Sequence, residues 1–252
     1  MIQVKQLSKA FDGITVIHNI DATFESGRCN MIIGKSGSGK TVLLKNLIGL
    51  LSPDGGDIFY DGNSLTAMDY SQRKQLRQHI GILFQGSALF DFATVIENIM
   101  FPMNFFTEWT EKEKEDRAHF CLEKVNIIGC DDKYPSELSG GMQKRVGIAR
   151  ALALSPKYLF CDEPNSGLDP YTSILIDKLI SDLTREFNMT TVINTHDMNS
   201  MLEIGDQICF IHEGTIAWRG DRHSILETDC APLKEFICAN TLARNIMEGK
   251  VR

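Results

Sequence analysis

The chain has 252 residues, with 26 basic and 33 acidic side chains, a formal net charge of -7, and 43% apolar and 23% charged residues. This is the composition of a soluble globular protein, long enough for one large α/β domain or a domain with an inserted lobe. The acidic balance argues against broad nucleic-acid binding, and no apolar run approaches the ~18 residues needed to cross a bilayer.

The chain opens as an alternating strand, Ile2 to Leu7, which carries no signal-peptide core. A second strand over about 15–24 pairs antiparallel to it across an Asp12-Gly13 turn. Phe11 stands just before that turn, where an aromatic ring either stacks on a nucleobase or simply packs. The apolar run Met31-Ile32-Ile33 then reads as a buried strand and leads into Gly34-Lys35-Ser36-Gly37-Ser38-Gly39-Lys40-Thr41, followed by a helix from Val42 to Ile48. Strand, glycine-rich turn and helix form the context that the G-x-x-x-x-G-K-[ST] pattern requires. Glycines at 34, 37 and 39 let successive N–H groups point inward, and the helix dipole adds to that anion nest. Lys40 is placed to reach the β- and γ-phosphates, and the Thr41 hydroxyl to ligate Mg²⁺. A nucleoside triphosphate is the expected ligand.

Asp57 to Tyr60, followed by Asp61-Gly62, reads as a hairpin edge. A helix over 71–78 leads to the strand Ile80 to Phe84, which ends at Gln85. That glutamine either coordinates Mg²⁺ and senses the γ-phosphate, or is only a polar residue leaving the sheet. From Gly86 to about Ser155 there are helices and loops but no convincing buried strand, which predicts a helical lobe inserted into the sheet domain. Its stretch 107–117 is densely charged and reads as a solvated helix face. Ser139-Gly140-Gly141-Met142 precedes a helix over 143–154.

The strand Tyr158 to Cys161 ends in Asp162-Glu163. Phosphoryl transfer needs a carboxylate near Mg²⁺ and a second group to position the attacking water; Asp162 suits the first role and Glu163 the second. A helix over about 172–187 and a strand over 190–194 follow. His196 comes next, either as a donor to a γ-phosphate or as a packing residue. Closing strands over 207–211 and 215–218 flank Glu213-Gly214, and the tail from about 228 to 252 reads as helical. The seven scattered cysteines form no C-x-x-C pair and read as reduced core residues of a cytosolic protein.

Leu138-Ser139-Gly140-Gly141-Met142 resembles the signature loop of ATP-binding cassette (ABC) ATPases. The remaining motifs follow that family's order: aromatic residue, phosphate loop, glutamine, signature, Asp-Glu strand, Ser166-Gly167-Leu168-Asp169 and histidine. The resemblance implies a P-loop NTPase (RecA-like) core over about 1–85 and 156–226 with an antiparallel β subdomain. A helical signature subdomain over about 86–155 would be inserted into it, and a C-terminal extension over 227–252 would follow. It also implies roles. Phe11 would stack on adenine, and Gly34 through Val42 would hold ATP. Thr41, Gln85 and Asp162 would hold Mg²⁺, and Glu163 would be the catalytic carboxylate. His196 would hold the γ-phosphate. Ser139, Gly140, Gly141 and Asp169 would serve the nucleotide of an opposing copy.

The partners so implied are a second copy of the chain and an integral membrane permease, with the protein peripheral on the cytoplasmic face of the inner membrane. The segments 85–90, 95–99 and Phe101-Pro102, together with Met142, resemble the Mla-type lipid-transport ATPases, which adds phospholipid cargo and a periplasmic lipid-binding subunit. Ala88, Leu89, Phe90 and Phe92 suit a groove that receives a permease helix; their plain reading is lobe core. Other cargo (amino acid, metal ion or sugar) and a non-transport ABC ATPase stand as alternatives, and a P-loop kinase or GTPase leaves the signature loop unexplained.

Overall fold

Ile2, Val4 and Leu7 are fully buried along one face of β1 (Ile2–Phe11), which makes this strand the centre of an antiparallel sheet. The computed structural model describes residues 1–239. By contact, these fall into two compact units: Met1–Asp69 with the described part of Thr190–Arg252, and Tyr70–Met189. In the first unit β1 pairs with β2 (Ile14–Phe24), with Phe11 opposite Ile14 and Ile2 opposite Phe24. The strand continues past the expected end at Leu7, because the ladder survives register shifts that restore pairing as far as Phe11. Next come β3 (Arg28–Ile33), α1 (Lys40–Leu47), β4 (Gly55–Tyr60) and β5 (Asn63–Ser64), giving the antiparallel order β2-β1-β4-β5.

The second unit contains α2 (Tyr70–Gln78), β6 (Ile80–Leu83), α3 (Val95–Phe106), α4 (Glu111–Lys124), α5 (Gly140–Leu152), β7 (Tyr158–Asp162) and α6 (Pro170–Glu186). β6 and β7 run parallel, with Leu83 opposite Cys161. Helices α3, α4 and α5 pack on one another, and α5 packs on β6. The charged stretch 107–117 is not one continuous helix. α3 ends at Phe106, and α4 starts afresh behind Thr110, whose hydroxyl accepts from the Glu113 N–H while the Glu113 carboxylate accepts from the Thr110 N–H. A buried Asn98 organises the turn before α3. Its Oδ1 accepts from Phe90 N–H at 2.8 Å, and its Nδ2 donates to the carbonyls of Phe90, Ala93 and Thr94 at 3.1, 3.0 and 2.9 Å.

The chain returns to the first unit with β8 (Thr190–Thr195), α7 (Met198–Ile204), β9 (Gln207–His212), β10 (Thr215–Gly220), a 3₁₀ turn (Ser224–Glu227) and α8 (Ala231–Cys238). Here the order is β10-β9-β3-β8, with β3 parallel to both neighbours. Cys29 through Ile33 are at most 1% exposed, as expected for a parallel strand covered on both faces. Five cysteines are buried as expected, whereas Cys230 and Cys238 are only half-buried because they lie at the two ends of α8. Of the helical tail read from the sequence, 240–252 lies outside the described residues.

The loop held by Asn98 yields a stability prediction. Asn98→Leu strands the Phe90 N–H and several carbonyls, and should cost about 2–3 kcal/mol. Chemical denaturation measures this directly, and a loss under half that size would show that the turn re-forms its bonds elsewhere.

Candidate functional site

In the first unit, Gly34 to Gly39 bridge the end of β3 and the start of α1. Gly39 is the α1 N-cap at φ 105, and a Cβ there would lie 2.5 Å from Ile17 Cγ2, so only glycine fits. No side chain caps α1 and its first turn holds no acid, leaving its leading N–H groups open to an anion. Lys40 is 8% exposed, and its Nζ donates to the carbonyls of Gly34 at 2.9 Å and Lys35 at 3.1 Å. The ammonium is therefore held in the concave side of the loop. Ser36 and Gly37 are exposed and Val42 is half-buried. The Ser38 Oγ is buried and has no hydrogen-bond partner among the described residues. A buried hydroxyl of this kind, inside a curl of backbone beside a lysine, fits a phosphate oxygen.

The register of β3 with β8 sets Ile33 opposite Thr195, so Gly34 and His196 leave the same edge of the sheet. His196 is exposed there, and Asp197 behind it caps α7 by accepting from Asn199 N–H at 2.8 Å. Asn194 Nδ2 donates to Thr41 Oγ1 at 3.4 Å and so helps orient that hydroxyl. Phe11 is 40% exposed at the end of β1, with the Lys9 ammonium 5.5 Å from its ring centroid. Lys35 pairs with Glu235 of α8 at 2.7 Å; that hydrogen bond and charge hold the Glu235 carboxyl below the usual range.

In the second unit, Gln85 and Glu163 each lie two residues beyond the paired positions Leu83 and Cys161, and leave neighbouring parallel strands at the same end. Gln85 Nε2 donates to Ser166 Oγ at 3.1 Å, and the buried Lys144 Nζ donates to the Gln85 carbonyl. Burial pushes the Lys144 ammonium below the usual lysine range, while Cys161, Asp162 and Glu163 act in the opposite direction. Asp162 and Glu163 are both half-buried, and Glu163 adopts a left-handed φ of 48°, a local strain of the kind that collects at functional sites.

Ser139 caps α5, accepting from Met142 N–H at 3.3 Å, and Asp169 caps α6, accepting from Thr172 N–H at 3.0 Å. The Thr172 hydroxyl and N–H hold the Asp169 carboxyl below the usual range. An open pocket of about 340 Å³ lies between these helix starts, lined by Ser139, Gly140, Gly141, Arg145, Asp169 and Thr172 among others. The first turns of both helices are free of acidic residues. The residues read from the sequence thus gather into two clusters, one in each unit.

Sequence reasoning missed Asn194, Lys144, Asn98 and the Lys35–Glu235 pair. Only Asn194 left a signal, as a polar residue closing an apolar strand.

A phosphate loop between a parallel strand and a helix, in a chain with a second serine-glycine helix start and a strand ending Asp-Glu, defines a P-loop nucleotide-hydrolysing protein. The family described as ABC transporter matches residues 17–166, and the chain belongs to that family as an ATP-binding ATPase domain. It is 35% identical over 236 residues to a probable ribonucleotide transport ATP-binding protein, mkl, of Mycobacterium leprae (strain TN), covering 94% of this chain and 68% of that one. It is 39% identical over 245 residues to the methionine import ATP-binding protein MetN of Desulfitobacterium hafniense (strain Y51), covering 94% and 71%. Among solved structures, the dimeric post-hydrolysis state of the ATP-binding cassette MJ0796 bound to ADP and Pi superposes with a TM-score of 0.79 at 30% identity, covering 88% of this chain and 99% of that one.

The unpartnered Ser38 hydroxyl makes a prediction. Ser38→Ala should leave the nucleotide-free protein at least as stable, while weakening ATP binding by about five- to tenfold, the worth of one hydrogen bond. Thermal unfolding with and without nucleotide separates the two effects. Equal ATP affinity in the variant would remove Ser38 from the phosphate cradle.

Proposed function

We propose that two copies of this chain close around two Mg·ATP and drive a separate membrane permease. In this reading the Ser139 pocket of one copy meets the γ-phosphate held on the Gly34–Thr41 loop of the other. The observation that carries it is the candidate second anion site: a pocket at the α5 N-terminus, whose first turn holds no acid and which is headed by a serine and two glycines, with Asp169 capping α6 beside it. The dimeric state of the MJ0796 cassette supports the same arrangement.

Within such a site, Lys40 neutralises β,γ-phosphate charge, and the α1 N–H groups hold the phosphate oxygens. Mg²⁺ would be held by Thr41, Gln85 and Asp162, the residues that the family resemblance implies, and would supply charge neutralisation. Glu163 orients the attacking water and accepts its proton, and His196 donates to the γ-phosphate. Phe11 presents a ring face to adenine. Asp169 sets the start of α6 beside the partner's nucleotide.

The permease contact is assigned to an aromatic face. Phe92 is 82% and Phe105 65% exposed, and the rings Phe92–Phe90–Phe101–Phe105 follow one another at centroid distances of 5.5, 4.4 and 4.8 Å. An exposed aromatic ladder suits an amphipathic helix laid against it. No helix among the described residues is long and apolar enough to cross a membrane. A peripheral position on the cytoplasmic face of the inner membrane, held by the permease, is the corresponding assignment.

The cargo reading is phospholipid, with a periplasmic lipid-binding subunit as further partner. It rests on the character of 85–90, 95–99 and Met142. The second reading, import of a small polar solute, is favoured by the names of the methionine and ribonucleotide relatives. Purification from detergent-solubilised membranes with identification of bound lipid and co-purifying proteins decides between them.

Glu163→Gln should keep ATP affinity while lowering turnover at least about 100-fold, as loss of a general base does, and should trap a dimer on size-exclusion chromatography with Mg·ATP. Normal turnover would strip Glu163 of this role. Phe92→Glu, at an exposed position, should leave folding and basal hydrolysis unchanged but abolish co-purification of the permease; persistent co-purification would rule out the aromatic face.

A further inference from the structure

Between Gln85 and Phe90 the chain takes a conformation that side-chain-bearing residues avoid. Ser87 and Ala88 are consecutive residues with left-handed φ of 60° and 49°, and neither is glycine. One face of α5 holds this turn in place. Lys144, Gly147 and Arg150 recur every three residues, so they line a single stripe of the helix. Lys144, 4% exposed, donates to the Gln85 carbonyl. Arg150 donates from Nη1 to the Ala88 carbonyl and from Nη2 to the Ser87 carbonyl, both at 2.7 Å, and its guanidinium lies 5.7 Å from the Phe90 ring centroid. Between the two cations, Gly147 lets the turn press onto the helix: a Cβ there would lie 2.8 Å from Leu83 Cδ1 and 3.4 Å from Ser87 Cβ.

Two cations on one helix thus hold three carbonyls of a strained turn, those of Gln85, Ser87 and Ala88. The turn carries Gln85 at one end and the aromatic ladder at the other, and the helix begins at Ser139. A cation on carbonyls gives no catalytic chemistry here. What it gives is orientation.

We propose that Lys144 and Arg150 are positioning residues that clamp the 85–88 turn to α5, so that Gln85 is preset for the metal-bound nucleotide and moves together with the Ser139 helix. This rests on the Mg²⁺ reading of Gln85. Without the clamp the two left-handed residues relax, the Gln85 amide loses its fixed place, and the Mg²⁺-dependent part of the reaction suffers before nucleotide binding on the separate phosphate loop does.

The test measures ATPase activity of the full chain against Mg²⁺ at saturating ATP, ATP-analogue binding without Mg²⁺, and thermal stability, for Arg150→Met, Arg150→Lys, Lys144→Met, Gln85→Ala and the double variant Gln85→Ala/Arg150→Met. Arg150→Met and Lys144→Met should each raise the Mg²⁺ half-saturation about tenfold, the worth of a charge-assisted hydrogen bond, with Mg²⁺-free binding unchanged. Arg150→Lys, which keeps the cation and one bond, should recover part of the loss and carries the test if the methionine variant does not fold. The double variant should match Gln85→Ala. Unchanged Mg²⁺ dependence in folded Arg150 and Lys144 variants, or effects that add fully in the double variant, overturn the clamp. If Gln85→Ala alone leaves Mg²⁺ dependence intact, the reading of Gln85 fails, and the clamp fails with it by a separately visible route.

Discussion

A polyanion held by backbone dipoles is the constraint on which the rest depends. The chain is net acidic, yet belongs to a family that binds ATP. In the proposed reading its phosphate loop has one cation aimed inward, Lys40, whose Nζ is held by the loop's own carbonyls, while the exposed Lys35 beside it pairs with Glu235. In the same reading much of the attraction comes from peptide N–H groups gathered at the start of α1, where neither an acidic side chain nor a side-chain cap competes. Such a site depends on geometry more than on net charge. The sequence must therefore supply glycine where β2 crowds the backbone, and a parallel strand stiff enough to aim the loop.

A related arrangement stands at α5, where Ser139 and two glycines head a first turn free of acid; α6 beside it differs in carrying the Asp169 carboxylate as its cap. In the proposed reading this second site waits for a phosphate bound elsewhere, on a twin. Each site alone is a partial anion cradle, so full stabilisation of the transition state is reached only on closure, and hydrolysis reports that closure.

What the sequence made legible follows from which interactions are local. The Gly34–Thr41 loop could be read because its chemistry lies within eight consecutive residues. The strands ending at Ile33 and Asp162 were legible from the apolar runs Met31–Ile33 and Tyr158–Cys161, although the first begins earlier, at Arg28, and Asp162-Glu163 was legible from its place at a strand end. Asn98, Lys144 and Arg150 were not legible, because each acts on main-chain carbonyls or amides whose positions exist only after folding. The break between α3 and α4 was missed for a related reason: the Thr110–Glu113 cap lies inside a run whose charge density suggested one exposed helix. Lys35 reads as part of the nucleotide loop in sequence, yet its partner lies 200 positions away.

The central claim, that each nucleotide is shared between the phosphate loop of one copy and the serine-glycine loop of the other, is tested most directly by mixing two inactive proteins. Lys40→Met disables one loop and Ser139→Arg the other. If the two loops meet across a dimer, a mixed pair contains one site with both loops intact, and ATP turnover returns when the two inactive proteins are combined. If mixing at any ratio restores nothing while mixed dimers demonstrably form, both loops serve the same nucleotide within one chain and the account is contradicted.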